Sequence, residues 1–312
     1  MYPAQLVDIV STAVTRLQTD LKESAPVLGQ QTSQWMQHLA GPARSPADYF
    51  MHPLAFPSLL LPWWAEQHLR ETPNLALQAN LVYSTLSGYY YIRLIDNLMD
   101  GEATAETALL PALALFHTQF QTTYRPYFAP GHPFWNLFEQ TWFHTAEVTF
   151  KDTRLTDITA PQFEQIAAQK TCAAKIPVAA ICYIYQQPHQ LEPWAKFIDR
   201  FGCWHQFFND LFDWHKDLSR QTTTYFLSEA RRRKKADEPV AGWVAREGFA
   251  WGITRLQNWM SALKKEAQTL SNPDLQTYLD TRQALLLKQQ ADVSQALPAL
   301  AKIAALAKPE TT

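Results

Sequence analysis

Asp96-Asn97-Leu98-Met99-Asp100 and Asn209-Asp210-Leu211-Phe212-Asp213-Trp214-His215-Lys216-Asp217 stand about a third and two-thirds along a chain of 312 residues. Helical residues four apart share a face, with Cβ atoms about 5–6 Å apart, so Asp96 pairs with Asp100 and Asp213 with Asp217. Asp210 joins the second row, because seven residues make nearly two full turns. Each row follows an aromatic, apolar run: Tyr89, Tyr90, Tyr91, Ile92, Leu94 and Ile95 before the first, Phe201, Trp204, Phe207 and Phe208 before the second. Such runs read as helices buried all round. A lone D-x-x-x-D is most often a solvated face, but acids that end apolar helices are costly to bury unless something neutralises them. Oxygen-only ligands of this kind suit hard cations such as Mg2+. Two rows facing one cavity would hold a metal and a diphosphate.

The surroundings of the rows are helical throughout. Glycine is scarce, at 9 residues, and 47% of the chain is apolar, enough for a sizeable core. No run of alternating β-branched residues bounded by turn signals occurs, so the expected class is all-α. Proline-rich joints at 41–62, 124–133, 187–193 and 236–240 separate the helical patterns without any long or low-complexity linker. The simplest organisation is a single domain over residues 1–312, a bundle of about ten helices with the proline-interrupted apolar segment 54–64 as an irregular entry.

A formal net charge of −2 and a pI near 6.5 leave no electrostatic footprint for nucleic acid. The one basic run, Arg231-Arg232-Arg233-Lys234-Lys235, is bracketed by Glu229, Asp237 and Glu238. It reads as a solvated helix end, with a lid over an anionic group as the alternative. Cys172, Cys182 and Cys203 lie in apolar stretches without C-x-x-C spacing and read as reduced core residues of a cytoplasmic protein. No stretch reaches the ~18 apolar residues of a transmembrane helix, and the first 25 residues lack the continuous apolar core of a secretory signal.

Residues 160–186 form the third informative stretch. Thr159 with Gln162 reads as a capping box and Pro161 suits a first turn, so the pattern predicts one long helix. Lys170 and Thr171 then fall mid-helix in an apolar segment, where a lysine needs an anionic partner and a diphosphate would serve. Pro177, one turn on, withholds the N–H that the carbonyl of Ala173 would accept, leaving that dipole free to face a developing cation. An ordinary proline kink with a snorkelling lysine is the alternative.

Taken together, these segments resemble the class I isoprenoid synthases, the superfamily of trans-prenyl diphosphate synthases, terpene synthases and squalene/phytoene synthases. Asp96 to Asp100 is similar to the motif D-D-x-x-D, with Asn97 as the departure. Lys170-Thr171 is similar to the K-T element of prenyl diphosphate synthases. Gly202 to Asp213 is similar to G-x-x-F-Q-x-x-D-D-x-x-D, with His205 and Asn209 as departures. The resemblance covers roughly residues 80 to 230. It implies a single helical bundle around a deep apolar pocket, Mg2+ as cofactor and a prenyl diphosphate as substrate. It implies Asp96, Asp100, Asn209, Asp210, Asp213 and Asp217 as metal ligands, and Lys170, Thr171, Gln206, Lys216 and Arg220 as groups that act on the diphosphate. Gly88, Tyr91, Ile92, His205 and Phe208 would line the pocket, and a homodimer is an expected assembly.

The departures bear on the reaction. Chain-elongating members carry a basic pair after the first motif and an upstream G-K-x-x-R-P element for isopentenyl diphosphate. Here Gly101-Glu102-Ala103-Thr104 follows Asp100, the next arginine is Arg125, and no such upstream element occurs. The expectation is therefore a terpene-synthase-like reaction: ionisation of one allylic diphosphate, then cyclisation, rearrangement or elimination. Chain elongation, a squalene-synthase-like condensation and a non-catalytic prenyl-diphosphate-binding homologue are the alternatives. A different helical metalloprotein would need Glu-x-x-His pairs or an adjacent His-Asp, which the chain lacks.

Overall fold

Leu6, Val10, Ala13, Val14, Leu17 and Leu21 recur every three or four residues, and in the computed structural model they form the buried stripe of the first helix. The structure describes residues 2–99, 101, 107–152 and 154–306. Every regular element among them is helical. In chain order these are α1 (Ala4–Ser24), α2 (Pro26–Ala40), α3 (Pro46–Phe50), α4 (Leu60–Leu69), α5 (Leu75–Met99), α6 (Ala112–Thr122), α7 (Pro133–Asp152) and α8 (Ala160–Lys170). There follow α9 (Lys175–Ile184), α10 (Leu191–Phe212), α11 (Trp214–Ser219), α12 (Tyr225–Arg233), α13 (Val240–Trp243), α14 (Phe249–Thr269) and α15 (Pro273–Leu306). The all-α class expected from the sequence is what the structure shows. Residue contacts divide the chain into two compact units, Met1–Gln140 with Ala173–Leu191, and Thr141–Cys172 with Glu192–Thr312.

In the first unit α5 packs between α1 and α6. Its start is fixed by Asn74, whose Oδ1 accepts from the N–H groups of Ala76 and Leu77 at 3.1 and 3.2 Å. Small residues set its approach to α6. The Ser84 hydroxyl donates to the carbonyl of Phe120, and a Cβ on Gly88 would lie 3.0 Å from the Phe120 ring. Glu66 of α4 is fully buried yet satisfied: Oε1 accepts from Tyr185 Oη at 2.5 Å and from Asn74 N at 2.9 Å, and Oε2 from Gln78 Nε2 at 2.7 Å. That carboxylate ties α4, the start of α5 and the chain just past α9 together, because stranding any of these donors would cost more than the bond contributes.

In the second unit α10 is largely buried, from Trp194 to Leu211. The indole N–H of Trp204 donates to the carbonyl of Leu256 on α14 at 3.1 Å, and α15 packs along α14. The basic run ends α12, and its arginines hold the loop 156–158. Arg231 donates to the Thr156 carbonyl at 2.9 Å, while Arg232 pairs with Asp157 and Glu229 and donates to the Ile158 carbonyl at 2.7 Å. Arg233 pairs with Glu229 and lies over the Trp251 ring. Arg231 and Arg232 thus clamp a loop and Arg233 packs on Glu229 and Trp251, so all three are engaged within the chain, against the lid alternative for those residues.

Residues 160–186 are not one helix. The capping box is present, with Thr159 N donating to Gln162 Oε1 at 2.9 Å, but α8 stops at Lys170 and a 3-10 turn over Cys172–Ala174 precedes α9. Pro177 sits in the first turn of α9, where an N–H has no intrahelical acceptor to lose, so it opens a helix instead of kinking one. All three cysteines are buried and outside any disulfide, as expected of reduced core residues. No helix among the described residues is long and apolar enough to cross a membrane.

Candidate functional site

The first acidic row closes α5. Asp96 is half-buried, Asn97 fully buried and Met99 exposed, while Asp100 lies outside the described residues. The Asn97 departure has a physical reason: at zero exposure an amide is far cheaper to bury than a carboxylate. Of the expected pocket residues on α5, Gly88 packs on Phe120, the Tyr91 ring lies 5.9 Å from that of His117, and Ile92 is half-buried.

The second row is built by α10 and α11 with a break between them. Asp213 leaves helical geometry at φ −100° and ψ 7° and becomes the residue that starts α11. Its carbonyl still accepts from the N–H groups of Lys216 and Asp217 at 2.9 and 3.0 Å, so the four-residue spacing survives the bend. Asp210 is buried and Asp217 half-buried. Asn209, Asp213, Lys216 and Arg220 are exposed.

What approaches this row is the end of α8. A Cβ on Gly202 would lie 2.2 Å from Thr171 Oγ1 and 3.1 Å from the Ala167 carbonyl, so only glycine lets the two helices cross there. Gln206 and Asp210 follow Gly202 at one and two turns, on the same face. Gln206 Nε2 donates to Asp210 Oδ1 at 2.9 Å. Lys170, at the last position of α8, forms an ion pair with Asp152, the last residue of α7. The anionic partner that the sequence requires for Lys170 is therefore supplied within the chain, by a residue the sequence reading passed over.

The electrostatics follow from this placement. Burial pushes the Asp210 carboxyl up to about 7; the Gln206 hydrogen bond and the Lys170 charge oppose the rise, while the charges of Asp217 and Asp152 add to it. The Asp217 carboxyl is also raised, first by burial and then by the negative charge of Asp213, against the pull of Lys216, Arg220 and His215. Both carboxyls are raised first by burial, with charges of both signs around them. Among the described residues, no three His, Cys, Asp or Glu side chains are gathered in the arrangement that holds a metal ion.

No family model and no curated protein matches the chain. Among solved structures it resembles the geranylgeranyl pyrophosphate synthetase of the archaeon Geoglobus acetivorans, with a TM-score of 0.67 at 12% identity, over 94% of this chain and 98% of that one. The fold is that of an isoprenoid synthase.

Within this isoprenoid-synthase fold, His205 turns out to belong to a pair. Arg282 of α15 is fully buried, its guanidinium 5.1 to 5.9 Å from the ring centroids of Trp204, Phe201, Phe208 and Tyr278. Its Nη2 donates to His205 Nδ1 at 3.1 Å. Burial and the neighbouring guanidinium lower the His205 imidazole to about 3, so it stays neutral and accepts. His205 and Phe208 therefore have packing partners on α15, roughly a quarter turn and nearly half a turn round α10 from Gln206 respectively. No local motif could have announced Arg282, which lies 77 residues from His205.

Proposed function

We propose that this chain binds a prenyl diphosphate with Mg2+ and ionises it, releasing diphosphate and leaving an allylic cation that cyclises, rearranges or loses a proton. The observation that carries the reading is the cluster at the end of α8 and on α10. A lysine and a buried, glutamine-held carboxylate occupy the positions at which the sequence resembles the diphosphate-binding motifs. The fold shared with a prenyl diphosphate synthetase supports it.

In this reading Asp96, Asp100, Asn209, Asp210, Asp213 and Asp217 supply the oxygen ligands of Mg2+. When bound, Mg2+ contributes Lewis-acid stabilisation of the departing diphosphate. Lys170, Lys216 and Arg220 neutralise diphosphate oxygens, and each counters charge that grows as the C–O bond breaks and its electron pair leaves with the diphosphate. Gln206 orients Asp210 by its hydrogen bond, and the threonine of the K-T element, Thr171, fixes the lysine's approach through its contact with Gly202. Aromatic walls exclude water and attract the cation by about 2 kcal/mol or more where desolvated.

The second reading is prenyl transfer to isopentenyl diphosphate, favoured by the name of the solved neighbour. The basic elements that hold that co-substrate in chain-elongating enzymes are missing from the sequence, which is why ionisation of a single substrate is preferred. The test is Mg2+-dependent diphosphate release from ten-, fifteen-, twenty- and twenty-five-carbon allylic diphosphates, each with and without isopentenyl diphosphate. Release from one substrate alone, abolished by Asp96→Ala and by Asp213→Ala, is the expected result. Release only with isopentenyl diphosphate establishes prenyl transfer, and binding without release under any condition establishes the non-catalytic homologue.

A further inference from the structure

Trp204, His205 and Phe208 follow Phe201 on α10 by three, four and seven residues, so four rings share one face of that helix. The rings hold one another. Phe201 stacks with Trp204 and with His205 at centroid distances of 5.7 and 6.3 Å, Trp204 stacks with Phe208 at 5.3 Å, and Tyr278 of α15 lies 5.8 Å from Phe201. One turn past Tyr278, Arg282 enters this ring face at zero exposure. Its guanidinium lies 5.1 Å from the Trp204 centroid and 5.7, 5.8 and 5.9 Å from those of Phe201, Phe208 and Tyr278.

Complete burial strips a guanidinium of its water, which is tolerated only where the protein answers the charge. His205 Nδ1 accepts one N–H at 3.1 Å, while the electron-rich faces of the rings act on the delocalised charge as a whole. A planar, weakly hydrated guanidinium suits such a setting better than an ammonium does. Because contacts among the rings build the walls, the box does not owe its shape to its occupant. We propose that the ring box between α10 and α15 is a guanidinium-recognition site in its own right, with Arg282 as its built-in ligand, and that the charge of this ligand, more than its hydrogen bond to His205, holds α15 to α10. An alkylguanidinium is then the class of small molecule that the box takes once its own arginine is withdrawn.

The test is chemical rescue of the full chain carrying Arg282→Ala, read as the midpoint of thermal unfolding at neutral pH and constant ionic strength. Ethylguanidinium restores the atoms that the substitution removes. Ethylurea is its neutral counterpart, planar and with N–H donors of its own. Each is added at about 10 mM, far below the range in which such compounds denature. Ethylguanidinium should raise the midpoint of Arg282→Ala by about 3 °C, the shift given by a ligand at some ten times its dissociation constant. Ethylurea should raise it by less than about 1 °C, and neither should move the wild type, whose box is filled. Should Arg282→Ala fail to fold, two gentler substitutions decide the same point. His205→Phe removes the acceptor and keeps a ring, and should leave the midpoint within about 2 °C of wild type. Arg282→Met keeps the apolar stem and removes the charge, and should lower the midpoint at least about twice as far as His205→Phe does.

Rescue by ethylurea equal to that by ethylguanidinium would overturn the proposal, since shape and hydrogen bonding would then suffice without charge. A folded Arg282→Ala that ethylguanidinium does not stabilise would overturn it too, because the rings would have closed over the gap and left no site. A loss in His205→Phe as large as that in Arg282→Met would assign the hold on α15 to the hydrogen bond, with the same result. None of these measurements involves a diphosphate or a metal, so failure here leaves the proposed reaction where it stands.

Discussion

Replacing His205 by Gln should remove a pH dependence of stability whose size is set by burial of the imidazole and by the Arg282 guanidinium beside it. From α15 the Arg282 guanidinium donates to Nδ1, and Tyr278 lies beside that guanidinium. Protonating Nδ1 would break the hydrogen bond and set two cations together. The folded imidazole is accordingly lowered to about 3, against 6.5 when free. A depressed folded value means stability that is present above the unfolded pKa and lost as pH falls below it. Between pH 7.5 and 5 the unfolded chain gains a proton at this residue and the folded chain does not. At about 1.4 kcal/mol per unit, the 1.5 units from 6.5 down to 5 amount to about 2 kcal/mol. Glutamine offers Arg282 an acceptor oxygen and nothing to protonate. Urea unfolding at both pH values, in wild type and His205→Gln, isolates the residue by difference, because every other titrating group cancels. The wild type should lose about 2 kcal/mol more than the variant on going to pH 5. Equal losses in the two proteins would refute the argument that Arg282 holds the imidazole neutral.

Three other outcomes are expected. Asp210 has a raised folded pKa of about 7, so its stability contribution is present in acid and lost as pH rises through that value. In chelator at pH 8, Asp210→Asn should therefore be more stable than wild type, by up to about 4 kcal/mol, with the gap closing toward pH 4. Thermal melts across that range check this, and added Mg2+ should raise the melting temperature of the wild type alone. Glu66→Ala strands Gln78 Nε2, Asn74 N and Tyr185 Oη in a buried site and should cost about 3 kcal/mol or more in urea unfolding; a loss below about 1 kcal/mol would contradict the network's role. Arg232→Ala should leave Mg2+-dependent diphosphate release unchanged while exposing the segment 154–159 to limited proteolysis, because its hold on Asp157 and Ile158 is structural; a large fall in diphosphate release with no added cleavage would return the run to the lid role.

How far the molecule is legible in its sequence depends on the range over which each signal acts. The helices and the four-residue spacing of Asp213 and Asp217 could be read because apolar periodicity and i, i+4 spacing are local properties of the chain. The capping box at Thr159 was legible for the same reason, since Gln162 lies only three residues away. The break after Lys170 was harder, although a signal existed: a proline is cheap only in the first turn, so Pro177 was as consistent with a new helix start as with a kink. Choosing between those needs the tertiary cost of each path, and residue spacing does not contain it. The partners at the site lay wholly out of reach. Asp152 stands 18 residues before Lys170 in a polar stretch that looks like an ordinary helix end. Arg282 reads as one more charged position on an amphipathic helix until the rings of α10 are placed around it. Yet the two features they explain were visible as anomalies. A lysine in an apolar segment and a histidine where the motif expects phenylalanine each demand a partner, and the demand can be stated from sequence before the partner can be named. At Asn97 a motif aspartate is replaced by its neutral isostere and the structure places it at zero exposure, whereas Asn209, the same departure in the second row, is exposed. Departures from a motif are thus read better as requests for compensating chemistry than as loss of function.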